Sequence, residues 1–421
     1  MFQPEVAYDN TILVTACDDV WERSRFEWNV RDGGNPAVIA ENFLARFGLG
    51  LPTSAYGQRA TTNSNHESAD ICGAAVFVSA DGASAMHGLS TGPPTPVRTV
   101  PDLVMVVFAH GRHPELSLRN SASTGRRLAP ESGPSESAAH EWRVGDWMPS
   151  WTSRQHADAV RRVREAIARG DVYQVNVVGH SSAAYLGDPM PALRRVAALP
   201  GAAYGRVLAG AGWAIATASP EMLVHVGWAD NVHVGGAEHK LVVQTRPIKG
   251  TRPATAVGRR ELLASAKERA EHIMIVDLER NDLGRIAATG TVEVPELFAV
   301  RRWCDLWQAE SIVQAELAGD VGLADLLRAV LPGGSVTGAP KLAALAEIAR
   351  LEPVGRGPAM GALGWLDDRG LDLGLTIRTV AVDGNRIHLW AGGGITWDSD
   401  PDEEVAEAQA KAAPIRAALN C

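Results

Sequence analysis

TRPIKGTRP, residues 245–253, sets Lys249 between Pro247-Ile248 and Gly250-Thr251, with Arg246 and Arg252 on either side. The prolines and the central glycine predict a turn that continues neither a helix nor a long strand, so its amine is displayed rather than packed. Alone, Lys249 reads as a solvated lysine on a basic loop. The segments around it decide whether it is more than that. Residues 240–246 read as the strand that delivers it, and helical sequence runs from about Thr255 to Leu283 with room for a break.

The 421-residue chain is 46% hydrophobic and can bury a large core. A net charge of -9 argues against a dedicated nucleic-acid binder and against a polybasic membrane patch, which leaves small-molecule chemistry. Cys17, Cys72, Cys304 and Cys421 are scattered with no CxxC pair, so neither a zinc site nor a disulfide framework is expected and a reducing cytoplasm fits. Met1 to Glu5 has no basic, apolar leader, and no apolar run approaches the roughly 20 residues that span a bilayer. A soluble cytoplasmic protein with no membrane partner is the expectation.

Upstream, Thr11 to Val14, Ala74 to Val78 and Leu103 to Phe108 read as strands and Pro36 to Phe47 as a helix, none carrying chemistry. Residues 111–140, rich in Ser, Pro, Gly and Arg, read as a flexible surface segment. Region 1–150 is accordingly taken as a divergent part that adds strands to a shared core, and 151–421 as the catalytic domain. There, Ser153 is read as capping a helix with Ala157, Val160, Val163 and Ile167 on one face, ended by Gly170. The strand Val172 to Val178 puts Gln174 and Asn176 on one face. Strands at Tyr204 to Leu208, Trp213 to Ala218 and Met222 to Val226 follow, and Ser219-Pro220-Glu221 leaves a carboxylate at a strand end.

Glu268 and Glu271 share one helical face, with Ile273, Val276 and Leu283 read as core on the other. The last helix repeats the arrangement with Glu404, Glu407 and Lys411. Such pairs are either a solvated surface or, converging, oxygen ligands for a hard cation such as magnesium. In Pro332-Gly333-Gly334-Ser335-Val336-Thr337-Gly338-Ala339-Pro340-Lys341, Thr337 reads as the N-cap of a helix running to Leu351, giving either an anion site for a carboxylate or a structural loop. It is not a P-loop, because Ala339-Pro340 stands where Lys-Ser/Thr must follow. Strands are expected at Ala362 to Leu366, Leu375 to Val380 and Arg386 to Trp390. Arg378 interrupts the second and needs an anionic partner or water, while Gly392-Gly393-Gly394 lets backbone approach a ligand. These features together predict a dianionic substrate.

With those residues in place, roughly residues 155–415 resemble the chorismate-utilising enzymes, and most closely their aminodeoxychorismate synthase component I branch. The matching segments, in the family's order, are YQVN (173–176), SPE (219–221), RPIKGTRP (246–253), AEHIMIVDLERNDLGR (270–285), PGGSVTGAPK (332–341), IRT (377–379) and AGGGITWDSDP (391–401). The resemblance implies an α/β (α+β) fold in which two stacked, mostly antiparallel β-sheets form a β-sandwich core flanked by helices. It implies a magnesium ion on Glu271 and Glu407, with Glu268 and Glu404 in support, holding the ring carboxylate of chorismate. It places the enolpyruvyl carboxylate on Arg378 and the backbone near Gly393 and Gly394, and Thr337, Gly338, Gln174 and Lys411 against the substrate. Arg280 and Arg285 fall on family positions that support the site or form structural ion pairs.

Two positions discriminate within the family. Water-adding members have a lysine base where this chain has Gln174, and an amide cannot deprotonate water. Anthranilate synthases usually have alanine at Lys249, whereas aminodeoxychorismate synthases have lysine, which implies a covalent route. The amine attacks ring carbon 2 and expels the 4-hydroxyl, then ammonia at carbon 4 expels the lysine. Lys249 must be neutral to attack, a form favoured by desolvation or a neighbouring cation such as Arg246. Glu221 is the expected acid-base group.

The chain also departs from the family. Gln308 stands where a histidine is usual, three residues before Ser311. Arg356-Gly357 is followed by Pro358-Ala359-Met360, without the usual aromatic residue, whose volume Trp365 is available to fill. The long interval between Glu221 and Lys249 implies an extended hairpin around Trp228 to Lys240, and no tryptophan-binding motif is recognisable. No glutamine-amidotransferase segment is present either, so chorismate and ammonia, the latter from a separate glutamine amidotransferase subunit, are the expected partners. The product would feed para-aminobenzoate, for folate or a secondary metabolite. Anthranilate synthase component I and an inactive chorismate-binding or regulatory subunit stay open as alternatives.

Overall fold

The computed structural model describes residues 20–52, 71–89, 92–110, 142–229 and 240–420. The strand expected at Thr11 to Val14, the segment 111–140, the tip of the hairpin between Trp228 and Lys240, Cys17 and Cys421 lie outside the described residues. Among those described, the strands form two sheets in which every pairing is antiparallel. The larger runs Val20–Trp28, Leu103–His110, Ile71–Val78, Ala362–Leu366, Gly370–Leu375, Met222–Trp228, Leu241–Arg246, Leu306–Glu316, Ile248–Pro253, with Glu293–Trp303 also paired to Leu306–Glu316. The smaller runs Gly338–Ala339, Gln174–Leu186, Arg386–Ile395, Thr379–Asp383, Trp213–Ser219, Tyr204–Gly210.

The sheets stack through one apolar core. Val178, Leu208, Trp213, Ile215 and Trp390 of the smaller sheet join Phe77, Met105, Leu223, Val243 and Leu371 of the larger. This is the expected sandwich. Helices close the outer faces because their apolar sides fit the strand pleats. Val160, Val163, Ala344 and Ile348 from Ser153–Arg169 and Lys341–Leu351 pack on Val175 and Val177, and Ala412, Ile415 and Leu419 from Pro401–Leu419 pack near Val380 and Leu389.

Local chemistry starts and stops these helices. Thr152, not Ser153, caps the first, accepting from Gln155 N, and Gly170 in the left-handed region ends it. Ser265 breaks the long helical run into Ala256–Ala264 and Ala266–Gly284 and caps the second by accepting from Glu268 N. Asp400 does the same for Pro401–Leu419, accepting from Asp402 N and Glu403 N. Both caps put a Glu-x-x-Glu pair into the first turns of a helix, at its positive end.

Three local expectations are corrected. Ile273 is 48% exposed rather than core, though Val276 and Leu283 are buried. Residues 248–253 form a strand, with Lys249 opposite Ala309 and a bulge before Thr251, because Gly250 takes a left-handed φ of 77°. Arg378 does not interrupt a strand: Gly370–Leu375 belongs to the larger sheet and Thr379–Asp383 to the smaller, and the chain crosses between them at Thr376 to Arg378. Arg378 itself has φ 53°, unfavourable for a residue with a Cβ by roughly 1–2 kcal/mol. Among the described residues no helix is long and apolar enough to cross a membrane.

Candidate active site

A cavity of about 160 Å³ opens where the two sheets and the two carboxylate-bearing helices meet, with Glu221, Lys249 and Arg378 in its wall alongside Glu268, Glu271, Glu404, Glu407 and Lys411. Residues more than 180 positions apart in the chain thus share one space. The triple glycine explains how. A side chain on Gly394 would collide with Lys249 Nζ and come within 3.0 Å of Gln174 Nε2, whereas one on Gly393 would lie 3.1 Å from Glu404 Oε2 and 3.6 Å from Lys411 Nζ. A strand without side chains therefore runs between the lysine and the carboxylates, keeping both within reach of one ligand.

Glu221 is buried, and its Oε1 accepts from Ser335 Oγ at 2.5 Å and from Ile248 N at 3.3 Å. Burial pushes its carboxyl up to about 7 even though these two bonds and the charges of Arg378 and Lys249 pull the other way. It can exchange a proton near neutrality. Arg378 is buried with its guanidinium 3.5 Å from the centre of the Trp303 ring, and burial lowers it to about 9. Its Nη1 has no hydrogen-bond partner among the described residues. Asn176 Oδ1 and both amide atoms of Gln174 are likewise buried and unpaired. Unpaired polar atoms in a native interior are rare; those of Asn176 and Arg378 belong to residues that line the cavity, where a polar ligand would pair them, and Gln174 lies just behind Gly394.

The four carboxylates crowd the other end. Burial and the charge of Glu271 push Glu268 up; Arg252 Nη1 donates to Glu268 at 3.0 Å. Burial and the charge of Glu407 push Glu404 up to about 7. Burial would also raise Glu407, but Lys411, whose Nζ is 2.7 Å from Glu407 Oε1, together with the charge of Lys249 and a hydrogen bond from Thr251 outweighs it and leaves the carboxyl below its usual range. Glu271 accepts from Thr396 Oγ1 at 2.6 Å. Among the described residues no three acidic, His or Cys side chains form a ready-made metal cage. Magnesium, however, is commonly held by one or two carboxylates together with substrate oxygens and waters. Repelling, desolvated carboxylates drawn from two helices fit that mode.

Some expected site residues lie elsewhere. Thr337 does not cap the helix, which starts at Lys341; its hydroxyl donates to Gly333 O at 2.8 Å, and Gly338 pairs with Val175 in the smaller sheet. Ser335 and Val336, not Thr337 and Gly338, line the cavity, so the helix-terminus anion site is not formed. Arg280 pairs with Asp277 on the surface and Arg285 sits at an exposed helix end, so neither reaches the cavity. Trp365 packs against Phe108 at 5.6 Å, and Met360 lines the cavity instead. Gln308 does line it, opposite Thr251. A buried imidazole is nearby: His272 Nε2 lies 2.5 Å from Ser311 Oγ, and burial, then the charges of Lys249 and Arg269, hold it down to about 4 and therefore neutral. Asn176, which the strand alternation places on the face of Gln174, lines the cavity, as do Ser335 and Thr251, whose hydroxyls carry no signal in the sequence.

The pattern of the chorismate binding enzyme family matches residues 45–417, and the chain belongs to that family. It is 37% identical over 312 residues to aminodeoxychorismate synthase component 1 of Escherichia coli (strain K12), covering 72% of this chain and 66% of that protein. It is 39% identical over 269 residues to anthranilate synthase component 1 of Streptomyces coelicolor, covering 62% of this chain and 50% of the relative. The chain thus spans about half to two thirds of the length of these curated relatives. The crystal structure of anthranilate synthase component I from Streptococcus pneumoniae TIGR4 superposes with a TM-score of 0.71 at 25% identity, covering 97% of this chain and 94% of that one.

Proposed function

We propose that this chain aminates chorismate at ring carbon 4, giving 4-amino-4-deoxychorismate through a covalent bond to Lys249. The observation that carries the proposal is an amine in the same cavity as a carboxyl that titrates near 7, held against a glycine strand whose other side faces the acidic cluster. In the first half, Lys249 Nζ adds at ring carbon 2, the double bonds shift, the 4-hydroxyl leaves as water with a proton from Glu221, and the adduct nitrogen returns its extra proton to Glu221. In the second, ammonia adds at carbon 4, the double bonds shift back, and the lysine leaves carbon 2, taking up the proton that the new amine gives up through Glu221. The sum is chorismate plus ammonia to amino product plus water. Arg378 binds the enolpyruvyl carboxylate by charge and planarity. Glu271 and Glu407 would hold a magnesium ion, with Glu268 and Glu404 beside them; when bound it supplies positive charge that holds and polarises the ring carboxylate.

Ammonia comes from a separate glutamine-hydrolysing subunit, in keeping with relatives named as component 1. Turnover of glutamine by the isolated chain would refute this. The test of the activity itself is incubation with chorismate, magnesium and ammonium. The 4-amino product is expected, and Lys249→Ala should abolish or redirect it while leaving chorismate binding largely intact. Anthranilate is the outcome that the second reading predicts, favoured by the similarity to anthranilate synthase component 1. Binding without turnover would point to an inactive subunit.

A further inference from the structure

Trp390 has no role in the chemistry above, yet it forms part of the same wall. It lies on the strand Arg386–Ile395, is 1% exposed and lines the cavity. Its ring is wedged against His180, with centroids 4.9 Å apart, and against His388 at 6.0 Å. The plane of the indole is therefore set before any ligand arrives. Its Nε1 is buried and has no hydrogen-bond partner among the described residues.

The sheet register locates this orphan donor. Leu389, the chain neighbour of Trp390, pairs with Val380, which follows Arg378 by two residues, and both Trp390 and Arg378 line the cavity. Arg378 Nη1 is also buried and unpaired. Two buried donors without acceptors among the described residues thus line one cavity. An indole N–H can only donate, so the missing partner is an acceptor, and beside a guanidinium it is an anionic one. A carboxylate has an oxygen for each.

We infer that Trp390 is a substrate-binding residue that donates its indole N–H to the carboxylate bound by Arg378, and so determines which anions this end of the cavity accepts. The inference rests on the proposed substrate, a dianion with one carboxylate at each end. It makes Trp390 discriminating: a substrate whose group at this position has only one good acceptor oxygen, as an ester does, leaves the indole N–H buried and unpaired once Arg378 holds that oxygen.

The test is titration of the full chain with chorismate and with chorismate esterified at the enolpyruvyl carboxylate, comparing the parent protein with Trp390→Phe. Because Phe also removes volume, a second variant carries benzothienylalanine at 390, which keeps the indole shape without the N–H. Both variants are expected to bind chorismate about tenfold or more weakly, as one hydrogen bond to a charged group implies, with a penalty below about twofold for the ester. Parent-like affinity of the benzothienyl variant, or an equal penalty for chorismate and ester, overturns the assignment. Product identity is scored separately: anthranilate from the parent protein overturns the 4-amination reading while the affinity ratio still decides on Trp390, and failure of the parent to bind chorismate overturns both.

Discussion

Glu221 shows how a side chain acquires chemistry from neighbours distant in sequence. In SPE it is a turn glutamate; folded, it is buried and bonded to Ser335, 114 positions away. Ser335 lies in a motif whose visible features are glycines and a proline, so nothing local marked its hydroxyl. If protonated Glu221 starts the reaction, kcat/KM should fall as pH rises through about 7, the value to which burial raises it. The Ser335 hydroxyl stabilises the carboxylate, so Ser335→Ala raises the Glu221 value further. The basic limb should move to higher pH, with a loss of roughly tenfold in rate from poorer positioning. A pH profile of the variant checks this; a lower rate with an unmoved limb would mean that Ser335 only packs.

The helices carrying Glu268, Glu271, Glu404 and Glu407 were legible because Glu-x-x-Glu on a 3.6-residue repeat defines a face. What faced them was not, since convergence depends on how the fold brings together two helices far apart in the chain, Ala266–Gly284 and Pro401–Leu419. Their proximity has a stability consequence. Burial and Glu407 raise Glu404 from 4.5 to about 7, so the folded state holds a proton that the unfolded chain has lost. The favourable contribution is full below about 4.5, declines as pH rises, and is gone above about 7. Glu404→Gln should flatten that decline, making the variant more stable than the parent at pH 8 by roughly 1–2 kcal/mol after solvent screening, with little difference at pH 4.5. Thermal denaturation at the two pH values measures it, and magnesium should raise the melting temperature of the parent more than that of the variant.

The two sheets behave as one body because residues from both fill a common core. Ile215 of the smaller sheet is 1% exposed within a cluster built mostly by the larger. Ile215→Ala is expected to cost about 2–5 kcal/mol in denaturant unfolding. Because the cavity lies where the sheets meet, turnover per folded molecule should fall with it. A variant equally destabilised but fully active would show that the cavity does not depend on this packing.

The motifs by themselves determined the family, the sandwich and most of the charged groups that line the cavity. They could do so because glycine, proline and charge at set spacings constrain backbone and chemistry locally. Lys249 stood out as a displayed amine; the tertiary structure made it a residue on a bulged strand that touches Gly394. Burial, unpaired donors and sheet crossing come from contacts between distant segments. For that reason only the fold could show Arg378 at the junction of two sheets, Ser335 on Glu221 and Trp390 with its N–H unpaired, or remove Thr337, Arg280 and Arg285 from the site.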